Sequence, residues 1–395
     1  MVNLLTSFQT IPAAPQLAEA PTPEFFHDRS GRISAVNWRD MDNPRSTLAW
    51  DALAQWASEP NPFFESWYLL PALRAMAPYS QVHILRFDIG GDLGGIMPVA
   101  SPLRYYGRPV PHLASWLHPN CFIGAPLVAR GLERPFWRAL LAWADAQGGL
   151  ALFLHLSALP LTGALAEALR AVLAEQERPA ALVARENHVL LRSNLAPDAY
   201  YAAGTSPKKR KEYRRQARRL AELGEVAVVR QRGWKDLERW IEDFLTLEAS
   251  GWKGEAGSAL ACARATDDLW RESLTGAAAR GRLDRLALTL DGRPIAMLAT
   301  FLAPPAAFMF KTAFDESLSV FSPGVLLQRA NLAMLDAPDI TWVDSCANEN
   351  HPMIPHLWRE RRPVGRVSIA VGGPLRRRLF GMLAQRELKG KPLGL

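Results

Sequence analysis

Cysteine is scarce. The 395 residues hold three, Cys121, Cys262 and Cys346, far apart and without metal-ligand spacing. That argues against a disulfide framework and against zinc, and predicts a reduced, cytoplasmic protein without a metal. Unbroken apolar runs are scarce too. Residues 146–166, AQGGLALFLHLSALPLTGALA, carry no formal charge and have the length of a membrane span. Gly148, Gly149, His155, Ser157, Pro160 and Gly163 punctuate them, so a strand LALFLHLS, a turn and a new helix fit better. The first residues, MVNLLTSFQTIPAAPQ, lack the basic start and long apolar stretch of a signal peptide. Helix-turn-helix, zinc-finger and RNA-binding signatures are absent, and nucleic acid is not an expected partner.

What is present is ample apolar sequence for a core, enough chain for two domains, and a very uneven charge. The net charge is +7. Residues 206–220, SPKKRKEYRRQARRL, hold eight basic side chains and one acidic, and residues 359–391 hold ten and two. These two segments exceed the whole net charge, so the remaining body is mildly acidic. Localised anion binding follows, rather than general stickiness. In the first segment Ser206 suits a helix cap, Pro207 its first turn and Gly224 its end. Tyr213, Ala217 and Leu220 share one face, which leaves the basic sides exposed. The cations at 208–211 sit against the helix dipole and repel one another, a cost relieved by an anion. Lys208, Lys209 and Arg210 are therefore candidate contacts to an anionic acceptor or to membrane head groups. The second segment ends in PLRRRLFGMLAQRELKG. There Leu375, Leu379, Phe380, Met382 and Leu383 form an apolar face beside Arg376–Arg378, the pattern of a helix that lies on a membrane. A helix packed on the core has the same pattern.

Along the chain, residues 1–28 are rich in Pro, Ala and Thr and read as a mobile tail. Two similar halves follow, each running helix, helix, hairpin, further strand, helix, strand. The hairpins HILRFDIGGDLGGIMPVASP and RLALTLDGRPIAMLATFLAP align, with Gly90-Gly91 and Asp291-Gly292 at their turns. An internal duplication of one α/β domain explains this, with a join at 190–205 and domains over 29–195 and 196–395. In the second half FSPGVLL opens a helix. A loop entering a helix offers free N–H groups and the positive dipole end, Pro323 fixes the entry, and Gly324 lets a ligand approach. Ser322, Pro323, Gly324 and Val325 are thus a candidate pyrophosphate seat, although Ser-Pro-Gly also starts helices that bind nothing.

Several stretches together carry a family resemblance over about 30–370. They are NPFFESWYLLPAL (61–73), GGIMPV (94–99), SPKKRKEYRRQARRL, LEASGWKG (247–254) and AFDESLSVFSPGVLL (313–327). In these the chain resembles GNAT-fold acyltransferases, and more narrowly the FemAB-related branch linked to bacterial cellulose and holdfast synthesis. Bacterial ceramide synthases are also GNAT-like. The resemblance implies two tandem GNAT-like domains with mixed central sheets, and acyl-CoA docked at the Ser-Pro-Gly loop as acyl donor. It places Glu248 and Lys253 in a matched run, as substrate-site candidates, and matches Asp344 at a strand end. Lys311, mid-strand beside the proposed groove, is a further candidate. After Asp344 the chain departs from the branch. Relatives continue with a glycine-rich turn and a Tyr-Lys pair; this chain reads DSCANENHPMIPHLWRERRP.

GNAT chemistry needs a base for the attacking amine and a donor for the oxyanion and thiolate. His351 has the pKa range for the base, and Asp344 could orient it or hold the acceptor ammonium. Cys346 as a covalent nucleophile is unnecessary if the amine attacks directly. The leading expectation is an acyl-CoA-dependent N-acyltransferase, cytoplasmic and peripheral at the inner membrane. Its acceptor would be an amine on a membrane lipid or an envelope glycan precursor. Two alternatives stay open: FemAB-like aminoacyl transfer with tRNA on the basic helix, and a non-catalytic binding protein.

Overall fold

The computed structural model describes residues 31–77, 81–390 and 393–395. The tail expected over 1–28 lies outside them. The described elements, in chain order, are β1 Arg32–Asn37, α1 Pro44–Trp56, α2 Ser66–Met76, β2 His83–Ile89, β3 Asp92–Ala100, β4 Leu113–Ser115, β5 Leu127–Val128, α3 Glu133–Gln147, β6 Phe153–Pro160, α4 Ala164–Glu175 and β7 Ala180–Leu191. There follow α5 Pro197–Gly204, α6 Pro207–Ala221, β8 Val226–Arg232, α7 Leu237–Ala249, α8 Trp252–Glu255, α9 Arg264–Ala279, β9 Leu283–Leu290, β10 Arg293–Ala303, β11 Ala306–Phe314, α10 Pro323–Asn331, β12 Trp342–Asn348, β13 Glu360–Ala370 and α11 Pro374–Glu387. The uncharged stretch 146–166 forms β6, a turn and the start of α4. No helix among the described residues is long and apolar enough to cross a membrane.

The two hairpins form as their turns dictate. Gly90 and Gly91 take φ of 62° and 96°, and Asp291 and Gly292 take 49° and 76°. Positive φ at both central residues is the twist-matched two-residue turn, which costs Gly and Asp little. Ser206 caps α6 by accepting from the Lys209 N–H at 3.3 Å. Leu220 is buried and Tyr213 packs beside it, while most of the basic side chains stay at the surface.

The chain forms two compact units. The described part of one runs to Asn187 and resumes over Arg362–Leu395; the other is His188–Arg361. In the first, the N-terminal unit, the sheet order is β1-β2-β3-β4-β6-β13 and then the first part of β7, with β5 on β3. In the second, the C-terminal unit, it is the end of β7, then β12-β11-β10-β9-β8. Each sheet has a parallel couple, β4 with β6 and β11 with β12, flanked by an antiparallel strand, β13 on β6 and β7 on β12.

This division departs from a single join near residue 195. Residues 364–370 of β13 pair with β6, and Phe380 of α11 packs on Phe153 at 5.7 Å. The basic C-terminal helix therefore belongs to the N-terminal unit. In exchange, His188–Leu191 of β7 pair with β12 in the C-terminal unit. Turn composition marks where a chain bends; it does not say which sheet edge a strand completes.

The C-terminal unit is stiffened by an aromatic stack. Phe244 of α7 lies 4.3 Å from Trp270 of α9, Trp270 lies 5.7 Å from Phe310 of β11, and Phe310 lies 4.6 Å from Phe301 of β10. All four are buried. Together they remove large apolar areas from water and fix the middle of β11, where the site begins.

Candidate active site

The site starts from a parting of strands. β11 and β12 pair in parallel for three residues, Ala306–Phe308 with Trp342–Asp344, and then separate. β12 leaves the ladder because it bulges. Its register on β7 jumps from Asp344 opposite Leu190 to Asn348 opposite His188, and Cys346 takes a φ of 53°. A non-glycine residue holds that conformation only when its surroundings enforce it. Here Asp344, fully buried, accepts from the Cys346 N–H at 2.7 Å and bonds His188 Nδ1 at 3.0 Å. Ser345 Oγ accepts from the Ala347 N–H at 3.2 Å.

The opening contains a cavity of about 190 Å³. Its polar lining is Lys253, Lys311, Thr312, Gln328, Ser345 and His351, with Cys346 at the bulge and Met309 and Met353 among the apolar walls. Lys311 is the electrostatic centre. Burial, with a smaller push from the nearby Lys253 charge, lowers its pKa to about 8. Lys253 is itself compensated: its Nζ donates to Glu248 Oε1 at 2.7 Å, and Glu248 Oε2 accepts from the Leu260 N–H at 2.8 Å. The LEASGWKG run thus builds one side of the cavity.

His351 also lines the cavity, and its geometry changes its expected role. Its Nδ1 accepts from the N–H groups of Met353 and Ile354 at 3.2 and 3.3 Å, and burial lowers its pKa. The neutral ring then carries its proton on Nε2, which makes it a hydrogen-bond donor rather than a base. Asp344 does not orient His351. It is committed to His188 and to the bulge, and it is not among the lining residues.

The Ser-Pro-Gly loop opens α10. Ser322 is left-handed, with φ 53° and ψ 52°, and Pro323 is the first helical residue. The N–H groups of Val325 and Leu326 turn back to the Ser322 carbonyl at 3.0 and 3.1 Å. Gly324 keeps its N–H outside these bonds. A Cβ there would meet Met353 Cε at 3.2 Å and Phe314 Cδ1 at 3.4 Å. The glycine lies close against a residue of the cavity wall, so the loop and the cavity adjoin.

Lys208, Lys209 and Arg210 stand apart. They lie on the surface of α6 and none lines the cavity. In α11, Phe380 and Ala384 are buried, whereas Leu375, Leu379, Met382 and Leu383 are exposed. The expected apolar face is therefore divided between core and surface.

Two residues at the site escaped sequence reasoning. Gln328 had a usable signal: it lies four positions after Gly324, on the same helix face. His188 had none, because its partner Asp344 is 156 residues away. Among the described residues no three His, Cys, Asp or Glu side chains are grouped to hold a metal.

Solved structures share this fold. Residues 207–351 match the family described as Acetyltransferase (GNAT) domain. No curated protein matches the chain. Among solved structures the chain is similar to FemX, at 10% identity and TM-score 0.55, covering 86% of this chain and 98% of that one. It is similar to a conserved protein of unknown function from Bacteroides thetaiotaomicron VPI-5482, at 11% identity and TM-score 0.52, over 82% and 97% of the two chains. A tandem GNAT protein from the clavulanic acid biosynthesis pathway matches at 18% identity and TM-score 0.44, over 87% and 99%. The chain is an acyltransferase with the α/β GNAT fold, and its matched GNAT domain lies within residues 207–351.

Proposed function

We propose that this enzyme is an acyl-CoA-dependent N-acyltransferase whose reaction centre is the cavity between the parted strands β11 and β12. The observation that carries the reading is the parting itself. Beyond Phe308 the edge of β11 has lost its β12 partner, and such an edge pairs readily with an extended, amide-bearing arm. The Gly324 N–H and the α10 dipole offer a seat for the donor's phosphates next to it.

In this reading the acceptor amine attacks the thioester carbonyl directly. Lys311, with its amine near half-neutral at pH 8, takes the proton that the amine loses. His351 Nε2–H steadies the developing oxyanion, and the departing thiolate leaves on coenzyme A. Glu248 and Lys253 hold the cavity wall and keep its charge balanced.

The acceptor we favour is an amine on a membrane lipid or an envelope glycan precursor, presented at an anionic surface. The exposed cations of α6 support this, as do Leu375, Leu379, Met382 and Leu383 beside arginines on α11. A second reading, aminoacyl transfer with a tRNA on α6, has the fold likeness to FemX in its favour. Co-flotation with anionic liposomes separates the two. It should fall with Leu379→Asp, which leaves the basic charge in place, while any RNA retention should not.

The deciding experiment is Lys311→Met. It should lower turnover about 10²–10⁴-fold, the usual cost of a missing general base, with little change in coenzyme A affinity. Wild-type turnover in that variant would remove Lys311 from the chemistry. No thermal shift of the wild-type protein with acyl-CoA would remove the donor assignment.

A further inference from the structure

The cavity contains an anomaly that the reaction above does not use. Gln328, in the second turn of α10, is fully buried and lines the cavity. Neither its Oε1 nor its Nε2 has a hydrogen-bond partner. A buried carboxamide with both ends unpaired is costly, because each end has given up water and gained nothing. A leucine of similar size would fill the same volume without that cost. The nearby lining includes Thr312 and Ser345, but neither hydroxyl reaches the carboxamide.

A carboxamide offers one acceptor oxygen and an N–H₂ donor side by side, and its natural complement is another amide. Gln328 sits four residues beyond Gly324 on the helix that opens with the proposed phosphate seat. The arm of coenzyme A carries two amides between its phosphates and its sulfur. Resting on the acyl-CoA reading, we infer that Gln328 is a positioning residue that pairs with an amide of the donor's pantetheine arm and holds it in the gap between β11 and β12. It would give the site its preference for pantetheine thioesters over acyl donors without an amide arm.

The test uses the intact chain and two probes, coenzyme A and adenosine 3′,5′-bisphosphate, which keeps the nucleoside and two of the three phosphates but lacks the arm. Calorimetry should show that Gln328→Leu weakens coenzyme A roughly tenfold, the order expected for losing a pair of neutral hydrogen bonds, while leaving the bisphosphate unchanged. The same variant, free of ligand, should melt no lower than wild type, since it removes two unpaired polar groups. Opposite effects on arm binding and on stability are what a merely structural glutamine would not give. Equal affinity of variant and wild type for coenzyme A overturns the inference and leaves the donor assignment standing. Equal weakening for both probes, or a lower melting temperature, also overturns it. Failure of wild-type protein to bind coenzyme A at all overturns the donor assignment and this inference together.

Discussion

The two units use the same device and put it to different ends. In the N-terminal unit β4 and β6 pair in parallel over Leu113–Leu154 and Ala114–His155, then part. β6 then bulges: its register on β13 jumps between Leu159 opposite Gly365 and Leu156 opposite Val367, and Ala158 takes a φ of 49°. β12 does the same at Cys346 in the C-terminal unit. What differs is the filling. In the N-terminal unit the chain itself occupies the gap. Ser115 Oγ accepts from the Ser157 N–H at 3.0 Å, and the Gly124 N–H donates to the Ala158 carbonyl at 2.9 Å. Asn61, also fully buried, donates to the carbonyls of Ile123 and Ala125 at 3.0 and 2.8 Å and accepts from the Phe63 N–H at 3.0 Å. One buried carboxamide is saturated by its own chain; the other, Gln328, has no partner. The strands part in both units, and the gap left unfilled in the C-terminal unit is the one proposed here as the reaction centre.

The sharpest break of this comparison is at two glycines. A Cβ on Gly124 would overlap the backbone carbonyl oxygen of Ser157, which cannot give way without moving β6. Gly124→Ala should cost about 3 kcal/mol or more in chemical denaturation. Gly324→Ala meets first the flexible end of Met353 at 3.2 Å and should cost less than about 1 kcal/mol. Similar costs at the two positions would mean that the C-terminal cleft is as tightly filled as the N-terminal one.

Asn61→Ala comes next. It strands two buried carbonyls and one N–H, and should cost about 2–4 kcal/mol. A loss below about 1 kcal/mol would show that water replaces the plug's bonds, and that the N-terminal cleft is open to solvent.

Much of this frame was legible in the sequence. Gly90-Gly91 and Asp291-Gly292 announced the hairpins because two-residue turns demand positive φ. The punctuation of 146–166 announced β6 and α4, and FSPGVLL announced the start of α10. Lys253, Lys311 and His351, named from the sequence as separate candidates for substrate, donor and base, line one cavity, yet their division of labour was not readable. Composition cannot tell that Met353 and Ile354 occupy Nδ1 of His351, or that His188 claims Asp344. Nor could it show that residues 364–370 complete the sheet of the N-terminal unit. The last two are pairings between distant segments, which no local pattern encodes; the His351 bonds are local, but they depend on the turn geometry after β12 rather than on composition.

The smallest expected effect concerns Lys311 and pH. In the N-terminal unit the buried His155 is pushed down to about 4, first by desolvation and then by His112 and Arg366, so it stays neutral throughout pH 7–9. Lys311 does not. Its pKa is about 8 in the folded chain, against roughly 10.4 for a free lysine. Between these values the unfolded chain holds a proton that the folded chain has released, so stability rises with pH across that window. Below about 8 the folded protein bears the full cost of a desolvated cation, about 3 kcal/mol. Lys311→Met never bears it. The variant's stability advantage over wild type should therefore shrink by about 1 kcal/mol from pH 7 to pH 9, read from denaturation curves at both pH values. Wild-type turnover should rise through an inflection near pH 8 as the amine becomes able to accept a proton. Agreement between the two inflections ties the rate to this one side chain. A rate inflection near pH 8 beside a pH-independent stability difference would assign the titration to another group and return the base to the residues around the bulge.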